Sequence, residues 1–281
     1  MLEDKRLKSW HDKYWNQIKR NIGIISIAEQ DKIKKAKIAI FGVGGLGGSL
    51  ADQLVRCGCE NIVICDNDKF EESNLNRQVC TREGLGSFKV DIVEKFLKLI
   101  NPDVIVNKFY EVNEKNIQSI LKDVKIVALT LDDPFLSILI ARECLKKKVP
   151  IIETYAIPYL CCWWFTSESV SFETFYNLQT ENMSYNDIAR SKVIQKEIKA
   201  AILVKLTELP KIADFFNREK GVFNAMLSGE IPLVSLAPVV RLSASYLAFE
   251  IIYSGLLKIK KKILAPEITG FDYLRMQLFK V

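Results

Sequence analysis

The sequence is poor in the residues that most catalytic and metal sites depend on. It has one histidine, His11, and none of its seven cysteines lies after Cys162. A histidine-dependent catalytic triad and a histidine metal cluster are therefore excluded. No cysteine pair has Cys-x-x-Cys spacing, so we expect no structural zinc. An odd number of cysteines without paired spacing is typical of a reducing compartment, and we expect a cytoplasmic protein.

Long uncharged hydrophobic runs are also scarce. The longest nearly uncharged apolar stretch, Thr154 to Thr166, is too short to span a bilayer, and the charged start Met1 to Arg6 is unlike a secretory signal. We therefore expect no membrane partner. The net charge of +6 comes from dispersed lysines without interleaved aromatic residues, so we expect no nucleic-acid partner either. With 281 residues, 49% of them hydrophobic, the chain can bury a large core.

A glycine-rich turn, Gly42 to Gly47, joins an apolar run to a segment whose apolar residues have helical spacing. This order of strand, turn and helix predicts a cradle for phosphate, because Gly42 and Gly44 can adopt backbone angles closed to other residues. A helix beginning near Gly47 would direct unpaired N–H groups at anionic oxygen. Asp66 follows the next apolar run and is placed to bind ribose hydroxyls. To this point, nicotinamide and adenine nucleotides fit equally well.

A polar set further along the chain separates these two possibilities. Asn74, Arg77 and Gln78 follow the ribose position, Lys89 opens the next helical segment, and Asp132 follows another apolar run. We expect all of them at the carboxyl edge of one parallel sheet. Hydride transfer needs no such set, whereas attack of a carboxylate on the α-phosphate of ATP does, because negative charge grows on the phosphoryl oxygens. Arg77 and Lys89 would neutralise that charge, and Asp132 would hold Mg²⁺.

These motifs resemble the ThiF/MoeB/HesA family, the adenylation module shared with ubiquitin-activating enzymes. The resemblance covers roughly residues 10 to 165, resumes at Ala237, and is carried by Gly42 to Gly47, Asp66-Asn67-Asp68, Ser73 to Gln78, Gly86 to Lys89 and Leu129 to Asp133. It implies that MgATP adenylates a carboxyl terminus, usually of a ubiquitin-fold protein, with release of pyrophosphate, in a homodimer. The implied catalytic residues are Arg77, Lys89 and Asp132, with Asp132 as the magnesium ligand. The implied nucleotide-binding residues are Gly42, Gly44, Gly45, Gly47, Asp66, Asp68, Asn74, Arg77, Gln78 and Lys89.

The sequence departs from the family pattern in two places. Asn16 stands where members often have an arginine that reaches the nucleotide of the neighbouring subunit, so that contribution is in doubt, although Lys13 or Arg20 could replace it in part. The family's usual thioester-forming cysteine is missing from the region after Cys162. Cys80 lies near the predicted phosphate site, but we expect a packed side chain there rather than a nucleophile.

The alternation of apolar runs and helical segments predicts a doubly wound, mainly parallel Rossmann-like α/β sheet flanked by helices. We expect a single domain, 1–281, comprising a helical arm (1–35), a nucleotide-binding core (36–165), a variable helical insertion (182–229), and a long helix with a closing β-hairpin (230–281). The insertion would cover the active site or the acceptor groove and be partly mobile, or would serve only in packing. Trp163 and Trp164 are either core side chains or the lining of an acceptor pocket.

Three functions remain open from the sequence. The chain could adenylate the carboxyl terminus of a ubiquitin-like protein or peptide, with the nucleophile delivered by a partner. It could instead adenylate a small-molecule or cofactor-precursor carboxylate, which the missing cysteine makes more credible. It could also be a weakly catalytic nucleotide-binding subunit of a heteromeric activating complex, although the presence of Arg77, Lys89 and Asp132 argues against this.

Overall fold

A computed structural model describes residues 6–281, so residues 1–5 at the start of the expected arm lie outside it. Its centre is a six-stranded sheet with a smaller three-stranded sheet beside it. The strands are β1 (Lys37–Phe41), β2 (Asn61–Cys65), β3 (Ile105–Phe109), β4 (Ile126–Leu129), β5 (Ile151–Glu153), β6 (Tyr159–Cys161), β7 (Trp163–Phe165), β8 (Thr269–Asp272) and β9 (Gln277–Lys280). The large sheet has the order β3-β2-β1-β4-β5-β7, in which β7 alone runs antiparallel to its neighbour.

Helices cover both faces of the large sheet. They are α1 (Asp12–Ile18), α2 (Ile27–Lys35), α3 (Gly45–Arg56), α4 (Lys89–Ile100), α5 (Ile117–Ile120), α6 (Pro134–Lys147), α7 (Phe172–Phe175), α8 (Tyr185–Arg190), α9 (Lys192–Thr207), α10 (Ile212–Phe216), α11 (Val222–Leu227) and α12 (Ala237–Glu250). One apolar core contains side chains of α3, α4 and α12, and the other contains side chains of α5 to α11. The predicted doubly wound, mainly parallel α/β fold is confirmed.

Strand β1 shows why the sequence forms this buried sheet. Ile38 and Ile40 belong to the core that contains α3, whereas Ala39 and Phe41 belong to the core on the opposite face. A parallel strand covered on both sides needs apolar residues at its buried positions, and β1 has them at all four positions after Lys37. Trp163 and Trp164 follow the same alternation in β7 and are fully buried, so they are core side chains.

The segment expected as an insertion forms α8 to α11 and packs beside α6. Buried apolar side chains attach it to the core: Ile188, Ile198, Leu206, Leu209, Ile212, Phe216, Phe223 and Met226. Val193, which the helical spacing would assign to the buried face, is 68% exposed, because its neighbour Ile194 takes the position that packs against the core. The Tyr155 hydroxyl donates a hydrogen bond to the Ile202 carbonyl of α9 at 3.3 Å. These contacts agree with the packing role, while mobility of the segment stays a prediction.

The long helix α12 continues as a π-helix, Ile251–Leu256. By length and composition, Ala237–Leu256 could cross a membrane, with a mean hydropathy of 1.2, although Arg241 and Glu250 interrupt its uncharged runs. Half of that window is buried inside the protein, as in the core helix of a soluble fold. The hydropathy of this helix therefore provides only weak support for a membrane span. The expected closing hairpin is present as β8 and β9, and β6 pairs with β8.

Candidate active site at the carboxyl edge of the sheet

The glycine-rich turn lies between the end of β1 and the start of α3. Gly42 has φ +88°, and a Cβ there would lie 2.7 Å from the Thr130 carbonyl oxygen. At Gly47 a Cβ would lie 1.8 Å from the carbonyl oxygen of Gly42, so the turn folds tightly against itself. Gly44 has φ −69° and ψ −140°, outside the helical and extended regions, and an added Cβ would meet nothing nearer than the Gln78 amide at 3.6 Å. Gly42 and Gly47 therefore require glycine because of the atoms that surround them.

Two side chains fix this turn in place. One carboxylate oxygen of Asp66 accepts a hydrogen bond from the Val43 N–H at 2.8 Å, and the other accepts one from the Asp68 N–H at 2.9 Å. Thr130 donates its hydroxyl to the Gly42 carbonyl at 2.7 Å. Burial raises the pKa of Asp66, against the opposing effect of these N–H groups and of Lys89. Thr130 had no expected role from the sequence, although it lies in the motif Leu129 to Asp133.

The two cations expected at the phosphates come from different loops. Lys89 begins α4, is 7% exposed, and places its Nζ 2.7 Å from an Asp68 carboxylate oxygen. Arg77 is half-buried and donates to the Asn76 side-chain oxygen at 2.7 Å. Its Cγ lies 3.5 Å from the position that a Cβ on Gly45 would occupy. Both cations therefore lie beside the glycine turn, where they can interact with a bound anion.

Asp132 follows β4 and lies near these cations. Loss of hydration among neighbouring atoms raises the pKa of Asp132, whereas Lys89 and Arg77 oppose the rise and Asp68 adds to it. Its side chain nevertheless remains open to solvent. Residues 6–281 contain no group of three or more metal-binding side chains. A single accessible carboxylate beside a phosphate cradle fits Mg²⁺ that arrives with a triphosphate, since proteins bind this ion through one or two carboxylates plus substrate phosphates.

Gln78 and Asn74 lie deeper beneath the same loop. Gln78 is 8% exposed, and its side-chain oxygen has no hydrogen-bond partner within the described residues. A buried amide left unpaired is costly, so this group beside Gly44 is suited to a polar ligand. Asn74 is 9% exposed, and its oxygen accepts the Glu71 N–H at 3.2 Å, which closes the turn that presents Arg77.

The amino-terminal residues expected to replace the family arginine are remote from this turn. Helix α1 packs at the opposite end of α3, where the Tyr14 hydroxyl donates to the Gly58 carbonyl at 3.0 Å. A helix the length of α3 separates the two ends by roughly 18 Å. The Asn16 side chain accepts a hydrogen bond from Lys19. Any contribution of α1 to a nucleotide site would therefore have to reach the site of another protomer.

The strand order places the glycine turn where ligands bind in doubly wound sheets. From β1 the chain proceeds to β2 and β3 on one side and then crosses back to β4 on the other side of β1, so the turn opens at the point where the strand order reverses. With Asp66 at the end of β2 and two cations above, these features define a nucleotide-binding α/β protein. The ThiF family profile matches residues 18–281, and the chain belongs to this family.

Individual relatives match smaller parts of the chain. Ubiquitin-like modifier-activating enzyme 5 of Aedes aegypti is 41% identical over 85 residues, which are 30% of this chain and 21% of that protein. A probable molybdopterin-synthase adenylyltransferase of Gracilaria tenuistipitata var. liui is 37% identical over 125 residues, 43% of this chain and 35% of that protein. The matched region is thus well under half the length of either relative.

Solved structures share the fold over most of the chain. PaaA superposes with a TM-score of 0.69 at 18% identity, covering 98% of this chain and 84% of PaaA. E. coli MccB solved with ATP superposes with a TM-score of 0.61 at 20% identity, covering 91% of this chain and 66% of MccB. At these identities the likeness establishes the fold alone.

Proposed function

We propose that this protein is an ATP-dependent adenylyltransferase that activates a carboxylate as an acyl-adenylate and releases pyrophosphate. The observation that carries the proposal is the position of Arg77, Lys89 and Asp132 around one glycine turn. Family membership supports it, as do a relative named as an adenylyltransferase and the MccB structure solved with ATP.

The chemistry requires positioning and charge neutralisation rather than proton transfer. A carboxylate oxygen of the acceptor attacks the α-phosphorus, a new O–P bond forms, and the bond to the β-phosphate breaks so that pyrophosphate leaves with the electron pair. Lys89 and Arg77 stabilise the negative charge that grows on the phosphoryl oxygens. Asp132 would hold Mg²⁺, which supplies further charge neutralisation when bound with the nucleotide. The Val43 N–H is already occupied by Asp66, so other N–H groups of the turn are left for phosphate.

The acceptor that we propose is the carboxyl terminus of a ubiquitin-like protein or peptide, as the names of the activating-enzyme relatives suggest. Burial raises the pKa of all seven cysteines, so none is an activated thiolate in this chain. Cys80 is the one near the phosphate site, and its thiol donates to the Thr81 carbonyl at 3.1 Å. The acyl-adenylate would therefore pass to a nucleophile on a partner. We further propose a cytoplasmic homodimer in which Lys13 or Arg20 reaches the partner's nucleotide.

ATP–pyrophosphate exchange tests this proposal directly. With Mg²⁺, exchange should depend on a Gly-Gly-ended protein or peptide, and Asp132→Ala should abolish it while ATP binding and the melting temperature change little. Glu219→Ala, which removes one exposed carboxylate elsewhere, is the matched control. Exchange that survives in Asp132→Ala would refute the site assignment. Exchange with small carboxylic acids alone would redirect the substrate class, and ATP binding without exchange would indicate a subunit of a larger activating complex.

A further inference from the structure

Glu153 ends β5 on the same edge of the sheet as the nucleotide cradle. The strand register aligns Cys65 with Phe41, Phe41 with Leu129, and Leu129 with Glu153. Because neighbouring strands lie about 4.8 Å apart, Glu153 is roughly 10 Å from the end of β1, on the side opposite to Asp66. If Asp66 marks the ribose side, Glu153 marks the side from which an acceptor can approach.

The Glu153 carboxyl group is held rigidly through one oxygen only. Its Oε2 accepts hydrogen bonds from the Tyr176 hydroxyl at 2.8 Å and from the Trp163 indole N–H at 3.0 Å. The Tyr155 hydroxyl in turn lies 3.1 Å from that of Tyr176. Within residues 6–281 the other oxygen, Oε1, has no hydrogen-bond partner, and the residue is only partly buried. The side chain thus presents one fixed acceptor atom that has no partner within the described part of the protein.

The fold does not require a carboxylate at this position. The side-chain oxygen of a glutamine would accept the same two hydrogen bonds and would carry no charge. Bringing a charge into an apolar surrounding costs free energy, and glutamine avoids that cost. Burial raises the pKa of Glu153 to about 7, so the surrounding residues oppose its ionised form. Packing alone therefore does not account for the carboxylate.

We propose that Glu153 is a positioning residue whose Oε1 accepts a hydrogen bond from an N–H group of the acceptor, near the carboxyl group that is adenylated. This rests on the proposed adenylation. An extended peptide advances about 3.3 to 3.6 Å per residue, so two or three residues span the distance from the cradle to Glu153. The contact selects a peptide carboxyl terminus over a small carboxylate that carries no N–H group.

The test pairs a change in the protein with a change in the acceptor. In Glu153→Gln, the amide oxygen keeps the bonds to Tyr176 and Trp163, and its NH₂ group then faces the acceptor as a second donor. The KM for a short Gly-Gly-ended peptide in the exchange assay should rise about 10- to 100-fold, as expected for loss of a hydrogen bond to a charged group, while the KM for ATP stays unchanged. Glu219→Gln is the control for the change in charge.

A peptide in which the amide two or three residues before its carboxyl end is replaced by an ester lacks the N–H group that would meet Glu153. Wild-type protein should bind it as weakly as Glu153→Gln binds the ordinary peptide, and the ester should cause little further loss in the variant. An equal ester penalty in both proteins, or an unchanged peptide KM in Glu153→Gln, would overturn this inference and leave adenylation intact. Exchange only with acids that lack N–H groups would also overturn it. Absence of exchange with every acceptor would remove the proposed function together with it.

Discussion

Replacing Glu153 by Gln should make the protein more stable at neutral and alkaline pH. The pKa of this carboxyl group is raised from 4.5 to about 7 by burial, so the folded state disfavours the charge. Between these values the folded protein binds more protons than the unfolded chain, and the free energy of unfolding falls as pH rises. Each pKa unit corresponds to 1.36 kcal/mol, which gives an effect of up to about 3 kcal/mol. Below the unfolded pKa, where Glu153 is protonated in both states, this contribution vanishes.

Urea unfolding of wild type and Glu153→Gln at pH 4.5 and pH 8 measures the effect. The gain in stability of the variant should be larger at pH 8 by up to about 3 kcal/mol, with unchanged m-values. The neighbouring groups do not titrate in this range, because burial raises the pKa of Tyr155 and Tyr176 well above the usual value and that of Cys161 to about 12. A difference between the two proteins that is the same at both pH values would refute the reasoning, and Glu219→Gln should show no such trend.

Two further changes test the nucleotide cradle. Gly47→Ala should lower the melting temperature and the ATP affinity far more than Gly44→Ala. The Cβ added at Gly47 would lie 1.8 Å from a carbonyl oxygen, whereas the Cβ added at Gly44 would lie 3.6 Å from the nearest atom, in the Gln78 amide. Equal effects of the two substitutions would contradict the observed geometry. Lys89→Met should reduce kcat for exchange by about 10²- to 10³-fold, as for loss of a donor to developing negative charge. Lys95→Met, at an exposed position of the same helix, should leave kcat unchanged.

Local patterns predicted the nucleotide half of the site. The glycine turn and Asp66 each depend on neighbours in sequence; the Asp66 carboxylate, for example, accepts the N–H of Asp68, two residues further on, at 2.9 Å. Glu153 could not be assigned in this way, because the role that we propose for it depends on the register of β5 against β4 and on Tyr176, which follows α7 and lies 23 residues further along the chain. The unpaired oxygen of Gln78 likewise depends on tertiary packing.

The contacts of α12 with the nucleotide cradle determine which part of this chain can vary in sequence. Val240 of α12 lies against Gly45, and the Ser243 hydroxyl donates to the Ile157 carbonyl at 3.2 Å. The chain therefore returns to the nucleotide cradle at α12, the next helix after the segment that forms α8 to α11. The start of that segment is anchored too, because Arg142 of α6 donates to the Thr180 and Met183 carbonyls. The exposed surface of the segment can therefore vary in sequence without any change in how the nucleotide cradle is held in place.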